Sequence, residues 1–328
     1  MSAHELPHLA KDFENIDLFV NPESTNSQRT LKLVKSGFDG WDSGPRIEYH
    51  ETIPNIDDFK QKLVEVCEAK DGQTITGIIA GDGSINNLVK IKQDIDLPKV
   101  AQKSPLWTPG GGNAVNFFKA VTSKFHSQHP EEVIKHGVID EFYPLLIKTT
   151  SWEGEKDEKL AASVFSVGAM AVAASFLNDQ KFRTNKLRNY RYGELITDPI
   201  RILESLKSTS EFEFLNQDNQ ATQAYDLLFL NSPHIAKIIY AKNVKLTGPA
   251  YTLEIQKKKT IDVVKAISML AIGRSKGRFM DDFYRFTVLS DNVMAQVDGE
   301  AWEIASGTNI EVSYANNAIP VVTTIENP

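Results

Sequence analysis

The stretch TITGIIAGDGSINNLVKI, residues 74–91, decides the fold. Thr74 to Ala80 is an unbroken β-branched and apolar run that reads as a buried strand, and it breaks at Gly81. INNLVKI then reads as a helix starting near Ser84. Strand, glycine turn and helix make up the unit of a parallel sheet, because parallel neighbours need a crossover between them. The order returns at once. Ser104 to Thr108 is a short extended piece, Pro109-Gly110-Gly111-Gly112 reads as a turn, and Asn113 to Phe125 puts Val115, Phe118, Val121 and Phe125 along one helical stripe. Upstream, Ile16 to Val20 (IDLFV) is a strand stopped by Asn21-Pro22. Asp57 to Ala69 carries Phe59, Leu63 and Val66 at helical spacing, with Asp57 or Asp58 placed to cap it. The N-terminal part is therefore expected to be α/β.

After Asp140 the texture changes. Phe142–Thr149, Tyr225–Leu230, Tyr251–Gln256, Phe283–Leu289 and Asn292–Val297 are short, aromatic or β-branched, and separated by turn formers, so the second half leans β. The polar stretch 178–223 holds a helix near Pro199–Lys207 and a basic cluster, Lys186, Arg188 and Arg191, which suits contact with lipid headgroups or, by preference, a solvated loop. Leu160 to Leu177 is about long enough for a bilayer span, but its serines and alanines favour a buried core segment. A domain boundary is expected between residues 140 and 155.

The composition narrows the function. A chain of 328 residues suggests about two domains. Its 36 basic and 43 acidic residues leave a net charge of −7, which argues against nucleic acid as a partner. A single cysteine, Cys67, allows no internal disulfide and no multi-cysteine zinc site, and suits a reducing compartment. The opening MSAHELPHLAKDFEN has no apolar core and does not read as a secretory signal.

Two glycine loops and one acidic turn carry the chemistry. In Ala80-Gly81-Asp82-Gly83-Ser84, glycines at a strand end free the backbone to approach an anion, and the following helix offers its N–H groups. A phosphate there would need a cation beside Asp82, Mg²⁺ being the usual one; the alternative is an ordinary tight turn. Three glycines at 110–112 before a helix suit close approach by a ligand, or a flexible loop. The spacing matches neither a P-loop nor a dinucleotide fingerprint. Asp298-Gly299-Glu300 is in the first place a type I′ hairpin turn. His126 and His129 lack a third ligand and read as surface residues. Trp41, Trp107, Trp152 and Trp302 read as core or pocket walls, with Trp107 the candidate neighbour of an adenine ring.

The order of Asn21-Pro22-Glu23-Ser24, Gly81-Asp82-Gly83-Ser84 with Asn86, the glycine loop ending in Asn113, Asp140, and Asp298-Gly299-Glu300 resembles the diacylglycerol kinase catalytic family. That family includes sphingosine, ceramide and bacterial diacylglycerol kinases and is related to the NAD kinases. The resemblance covers residues 14–305. It implies a three-layer α/β ATP-binding domain over 14–147 and a β-rich, sandwich-like acceptor domain over 148–310, with the C-terminal tail returning to the first. It also implies nucleotide contacts from Asn21, Ser24, Gly81, Asp82, Gly83, Ser84, Gly110, Gly111, Gly112 and Asn113, with Mg²⁺ at Asp82. Asp298 would be the general base on the acceptor hydroxyl, assisted by Glu300. The implied activity is phosphorylation of a lipid hydroxyl of diacylglycerol or sphingoid type by ATP. The enzyme would be cytoplasmic, in transient contact with a membrane, with a homodimer allowed. The sequence departs from the family at Ala80, Asn87 and Gly111, where the family has glycine, glutamate and threonine. Lys257-Lys258-Lys259 stands in an acidic, metal-binding stretch of the lipid kinases, of which Asp262 alone remains, and suits an anionic lipid surface or, by preference, a solvated turn. Two alternatives follow: a nucleotide-binding relative with impaired catalysis, or a kinase of a soluble acceptor such as NAD.

Overall fold

A computed structural model describes residues 13–24, 26–53, 55–111, 129–178, 209–235, 239–256 and 260–324. The chain divides into two compact units, Met1–Tyr143 with Asn316–Pro328, and Pro144–Ala315. The helix expected over 113–125, the one near Pro199–Lys207, the basic cluster at 186–191, His126 and the lysine run 257–259 lie outside the described residues. No helix among the described residues is long and apolar enough to cross a membrane.

The first unit runs β1 (Asn15–Val20), α1 (Ser27–Phe38), β2 (Arg46–Glu51), α2 (Ile56–Glu68), β3 (Thr74–Ala80), α3 (Asp82–Lys92), α4 (Lys99–Lys103), β4 (Leu106–Gly111), α5 (Pro130–His136) and β5 (Val138–Phe142), and is completed by the last strand, β20 (Ile319–Thr323). The sheet order is β2-β1-β3-β4-β20-β5, parallel except where β20 meets β5. All of β3 is buried, as a strand covered on both faces must be. Ile16, Leu18 and Val20 share a core with Val34 of α1 and Val133 and Ile134 of α5. Phe19, on the opposite face, meets the Phe59 ring of α2 at 5.0 Å. The sheet thus lies between two helical layers.

Two local readings are corrected here. Pro109 to Gly111 is not a turn but the end of β4, with Gly110 paired to Ile79 and Gly111 to Ala80. The ladder to β3 extends the strand through residues whose own propensity opposes it. The cap of α2 is Asn55, whose Oδ1 accepts from the amides of Asp57 at 2.8 Å and Asp58 at 3.2 Å; the aspartates occupy its first turn. At the far end of α3, Lys92 is buried and donates to the carbonyls of Ala101 at 2.6 Å and Ser104 at 2.5 Å, and burial pulls its ammonium down to about 8. That side chain ties α3 to α4 and to the start of β4.

The second unit runs β6 (Leu145–Thr150), β7 (Lys156–Ala161), β8 (Val164–Gly168), α6 (Ala169–Asn178), β9 (Phe212–Leu215), β10 (Ala221–Ala224), β11 (Asp226–Leu230), β12 (His234–Ile235), β13 (Ile239–Tyr240), β14 (Tyr251–Ile255), α7 (Thr260–Ala271), β15 (Arg278–Phe279), β16 (Phe283–Val288), β17 (Val293–Val297), β18 (Glu300–Ile304) and β19 (Asn309–Tyr314). The stretch 142–149 is two strands rather than one, because Pro144, which lacks an amide proton, separates β5 from β6. The strands form two antiparallel sheets, β10-β9-β16-β19-β6-β7 and β15-β14-β11-β8-β17-β18. Phe165, Leu227, Phe229 and Val297 of one pack with Phe214, Phe286 and Val312 of the other. Leu228 and Leu230, on the opposite face of β11, pack with Ala169 and Ala173 of α6 and Leu270 of α7. Strand β11 is therefore buried on both sides. The stretch 160–177 is the end of β7, β8 and most of α6; residues 161–169 are buried, as are Ala171 and Ala173, while Ser175 is exposed.

Alternation puts Asp226 on the helix-covered face of β11, where it is 1% exposed and meets no charged partner among the described residues, the backbone amides of Met170 and Leu227 giving it weak, poorly aligned support. Burial raises its carboxyl well above the usual range, so the folded protein holds that proton more tightly than the unfolded chain. Its stabilising contribution is complete below pH ~4 and is lost as pH rises through the folded value. Asp226→Asn is expected to raise the melting temperature at pH 8 by an amount equivalent to about 1–3 kcal/mol, with the gain shrinking toward pH 4 in a calorimetric pH series.

Candidate active site

In the first unit the site begins with strand register. Parallel pairing aligns Val20 with Ile79 and Ile79 with Gly110, so β1, β3 and β4 all end at one edge of the sheet. There the Asn21 amide donates to the Ile79 carbonyl at 2.9 Å, which holds the loop after β1 against the end of β3. The loop turns through Ser24 N–H to Asn21 O at 3.2 Å and Ser27 N–H to Ser24 O at 3.0 Å, and so enters α1. Asn21 Oδ1 accepts from the Glu23 amide at 3.0 Å, while its Nδ2 faces Ser84 Oγ at 3.4 Å.

Gly81 is the cap residue of α3, with no side-chain cap bond. The Ile85 amide donates to the Gly81 carbonyl at 3.2 Å, so the preceding amides, those of Asp82, Gly83 and Ser84, have no partner within the helix. Packing does not demand glycine at this turn. A Cβ on Gly83 would meet nothing within 4 Å, and one on Gly81 would come no nearer than 4.0 Å to Ser24 Oγ. Gly83 therefore borders open space on its Cβ side. Gly110 differs, because its φ of +101° is closed to side-chain-bearing residues. The structure thus brings Asn21, Ser24, Gly81, Gly83, Ser84, Gly110 and Gly111 to one sheet edge. Asp82 opens α3, but the placement of its carboxylate lies outside the description, as do Gly112 and Asn113.

Asp298 and Glu300 belong to the second unit. Val297 pairs with Glu300, and φ values of +48° at Asp298 and +96° at Gly299 make the two-residue type I′ hairpin expected from sequence. The sequence held no sign of what the carboxylate does. Its Oδ2 accepts from the Ala162 amide at 2.7 Å, and its Oδ1 from the Ser163 and Val164 amides, each at 2.8 Å, in the bend between β7 and β8. Gln296 Oε1 braces the turn by accepting from the Gly299 amide at 2.7 Å. Burial, opposed by the three amides and helped by the charge of Glu300, pushes the Asp298 carboxyl up to about 6. Glu300 is exposed.

Sequence reading missed a charged cluster on the α2 face of the first sheet. Asp17, Glu48 and His50 offer ligand atoms within 4.8 Å of one another. However, Lys70 Nζ stands 2.7 Å from Asp17 Oδ1 and 3.1 Å from Glu48 Oε2, so an ammonium already bridges the carboxylates a metal ion would need. His50 Nε2 at 2.9 Å and the Thr74 hydroxyl at 2.6 Å complete the shell of Asp17. Burial alone would raise that carboxyl; the bonds from His50, Lys70 and Thr74, with the lysine charge, hold it below its usual value. The arrangement is an ion-pair network joining β1, β2 and β3. Pairing in register of Asp17 with Glu48 and Thr76 was the only available signal, and it needs the strand partners to be known.

The tryptophans divide. Trp107 is 1% exposed among Ile16, Leu18 and Val34, so it is a core residue and not the neighbour of a bound ring. Trp152, at 73% exposed, walls nothing, because it sits in the β6–β7 turn.

No family model matches this sequence, and no curated protein matches it. The fold does have solved counterparts. A candidate diacylglycerol kinase from Bacillus anthracis Sterne superposes with a TM-score of 0.61 at 13% identity, over 96% of this chain and 100% of that one. A diacylglycerol kinase structure from the same organism gives 0.58 at 14% identity, over 96% and 98%. The fold is that of these kinases. Yeast NADH kinase, solved with NADH, follows at a TM-score of 0.52 and 13% identity, over 96% of this chain and 85% of that one. The shared diacylglycerol kinase fold consists of a parallel-sheet α/β unit followed by antiparallel β-rich sheets, as the resemblance in sequence implied.

Breaking the buried network should be costly, because removal of one partner strands the other charge. Lys70→Met is expected to lower the unfolding free energy at pH 7 by about 3 kcal/mol in urea titrations. A depressed carboxylate stabilises above its unfolded value and loses that contribution as pH falls through its folded one. The gap between the two proteins should therefore narrow below pH 3.8, the ordinary value for Asp17.

Proposed function

We propose that this protein is an ATP-dependent kinase that phosphorylates a hydroxyl group on a lipid of diacylglycerol or sphingoid-base type. The observation that carries the proposal is the convergence of the Asn21–Ser24 loop, the Gly81–Ser84 turn and Gly110 at the carboxyl edge of a parallel sheet. The first amides of α3, which have no partner within the helix, suit a phosphate chain, since amide dipoles and a helix N-terminus favour negative charge. Asn21, Ser24 and Ser84 supply further polar contacts, and Gly110 to Asn113 would close over the nucleotide.

Phosphoryl transfer asks for positioning and charge neutralisation more than for covalent chemistry. The acceptor oxygen attacks the γ-phosphorus, the bond to the β-phosphate oxygen breaks, ADP departs, and the hydroxyl proton passes to Asp298. A carboxylate with a value near 6 is ionised at neutral pH yet basic enough to take a proton as the new bond forms. Three backbone amides hold it in one orientation, which is what a positioned base needs. The loop offers one carboxylate, Asp82, which suits Mg²⁺, an ion that prefers one or two carboxylates together with phosphate oxygens and water. Asp82 would hold the ion, whose chemistry there would be to neutralise charge on the transferring phosphoryl group.

A soluble acceptor such as NAD is the second reading, favoured by the likeness to yeast NADH kinase. Transfer of labelled phosphate from ATP to diacylglycerol, sphingosine and NAD separates the two readings. Asp298→Asn is expected to lower kcat by about 10²–10⁴-fold. The wild-type rate should rise with pH through about 6 and then level off, because the base must be unprotonated to act. Full activity in the variant removes Asp298 as the base, and tight ATP binding without transfer to any acceptor replaces the proposal with an impaired nucleotide-binding protein.

A further inference from the structure

The second unit holds a cavity of about 420 Å³ that the catalytic reading does not use, a size within the roughly 300–1,000 Å³ typical of small-molecule sites. Its walls come from the β9–β10 turn and the start of β16 in one sheet, and from β14 and β15 in the other. These strands form one lateral edge of the two-sheet unit, while the β17–β18 hairpin that carries Asp298 lies at the opposite edge. Tyr251, Leu253 and Ile255 of β14 belong to the helix-side core, so alternation turns Thr252 and Glu254 to the other face, where the cavity is. Leu227 and Tyr284 line it from the core between the sheets.

Both walls are fixed. A Cβ on Gly277 would collide with the Tyr251 ring and the Thr252 carbonyl oxygen, so glycine is what lets Lys276 and Arg278 lie this close to β14. Across the cavity, Asn216 Oδ1 accepts from the amides of Asp218 at 2.9 Å and Gln220 at 3.0 Å. Gln217 Nε2 donates to the Phe283 carbonyl at 3.2 Å and pins that turn to β16. The Arg278 guanidinium lies over the Tyr284 ring, 5.4 Å from its centroid. Lys276 and Arg278 thus share a cavity with Asp218 and Glu254, yet no ion pair among the described residues joins any of the four. Thr252 is 5% exposed, and its hydroxyl has no hydrogen-bond partner.

We propose that this cavity binds a free amino acid, its carboxylate on Lys276 and Arg278 and its ammonium on Asp218 and Glu254. Charges of both signs that line one space without closing on each other are complementary to a ligand that carries both signs. The lining selects against the other small-molecule classes. A polyphosphate would meet Asp218 and Glu254, with Asp281 and Asp282 exposed nearby in the chain, and a simple cation would meet Lys276 and Arg278. A sugar would find no ring to stack on, because Tyr284 is 6% exposed and already faces the Arg278 guanidinium. The inference rests on the second unit alone and stands apart from the catalytic roles assigned above.

Isothermal titration calorimetry of the full-length protein with each proteinogenic L-amino acid should find at least one that binds saturably. Its N-acetyl derivative and its decarboxylated amine should each bind about tenfold more weakly or worse, since each lacks one charged end. Arg278→Gln and Asp218→Asn should each weaken binding by about tenfold or more at unchanged melting temperature, because both side chains are exposed. Lys148→Gln/Glu158→Gln, on β6 and β7 at the opposite edge, serves as the control and should bind like wild type. Absence of binding by every amino acid overturns the proposal, as does equal binding of the derivatives or an equal loss in the control. Saturable binding of glycerophosphoethanolamine in place of every amino acid also overturns it and assigns the cavity to a lipid headgroup; binding of glucose in their place assigns it to a sugar.

Discussion

Parallel pairing in register is the constraint from which the first unit follows. Because β1, β3 and β4 run the same way and are aligned residue by residue, their three exits fall on one edge. After β1 and β3 the chain turns into a helix within a few residues. Asn21 holds the first turn by donating its amide to the end of β3 and Gly81 opens the second by capping a helix without a side chain, while Gly110, still paired in β4, carries a positive φ. The two loops meet where Asn21 Nδ2 faces Ser84 Oγ. Support for the edge comes from well below it: Lys70 and His50 hold the buried Asp17 across three strands, and Lys92 anchors the far end of α3.

The second unit solves a different problem. A strand such as β11 is apolar along its whole length, so it needs cover on both faces. The partner sheet supplies one cover and α6 with α7 the other. Burial raises the Asp226 carboxyl well above its usual value in that setting, against the weaker opposing pull of the Met170 and Leu227 backbone amides. Asp298 shows the opposite treatment. Its carboxylate receives three amides that the bend between β7 and β8 would otherwise leave unpaired, so one side chain completes the backbone hydrogen bonding of a turn and is positioned by it. A residue of architectural use and a poised base can be the same residue, since both roles require a fixed orientation.

What the sequence determined alone was local. The run at 74–80, the helical stripe of Phe59, Leu63 and Val66, the short aromatic strands after residue 140 and the Asp298-Gly299 turn all depend on periodicity and turn chemistry within about ten residues. The order of the small motifs carried the fold as well, through a likeness that 13–14% overall identity would not have suggested. What only the tertiary structure decided were the features made by pairing across distance. Strand β2 is polar at most positions and becomes a strand because β1 lies beside it. Pro109 to Gly111 joins β4 because β3 offers a ladder, and Trp107 turns inward because that ladder sets its face. The Asp17–Lys70 bridge spans 53 residues and the Asp298 contacts more than 130. No local pattern encodes such a meeting, since the free energy of each contact depends on which strand the rest of the chain has placed next to it.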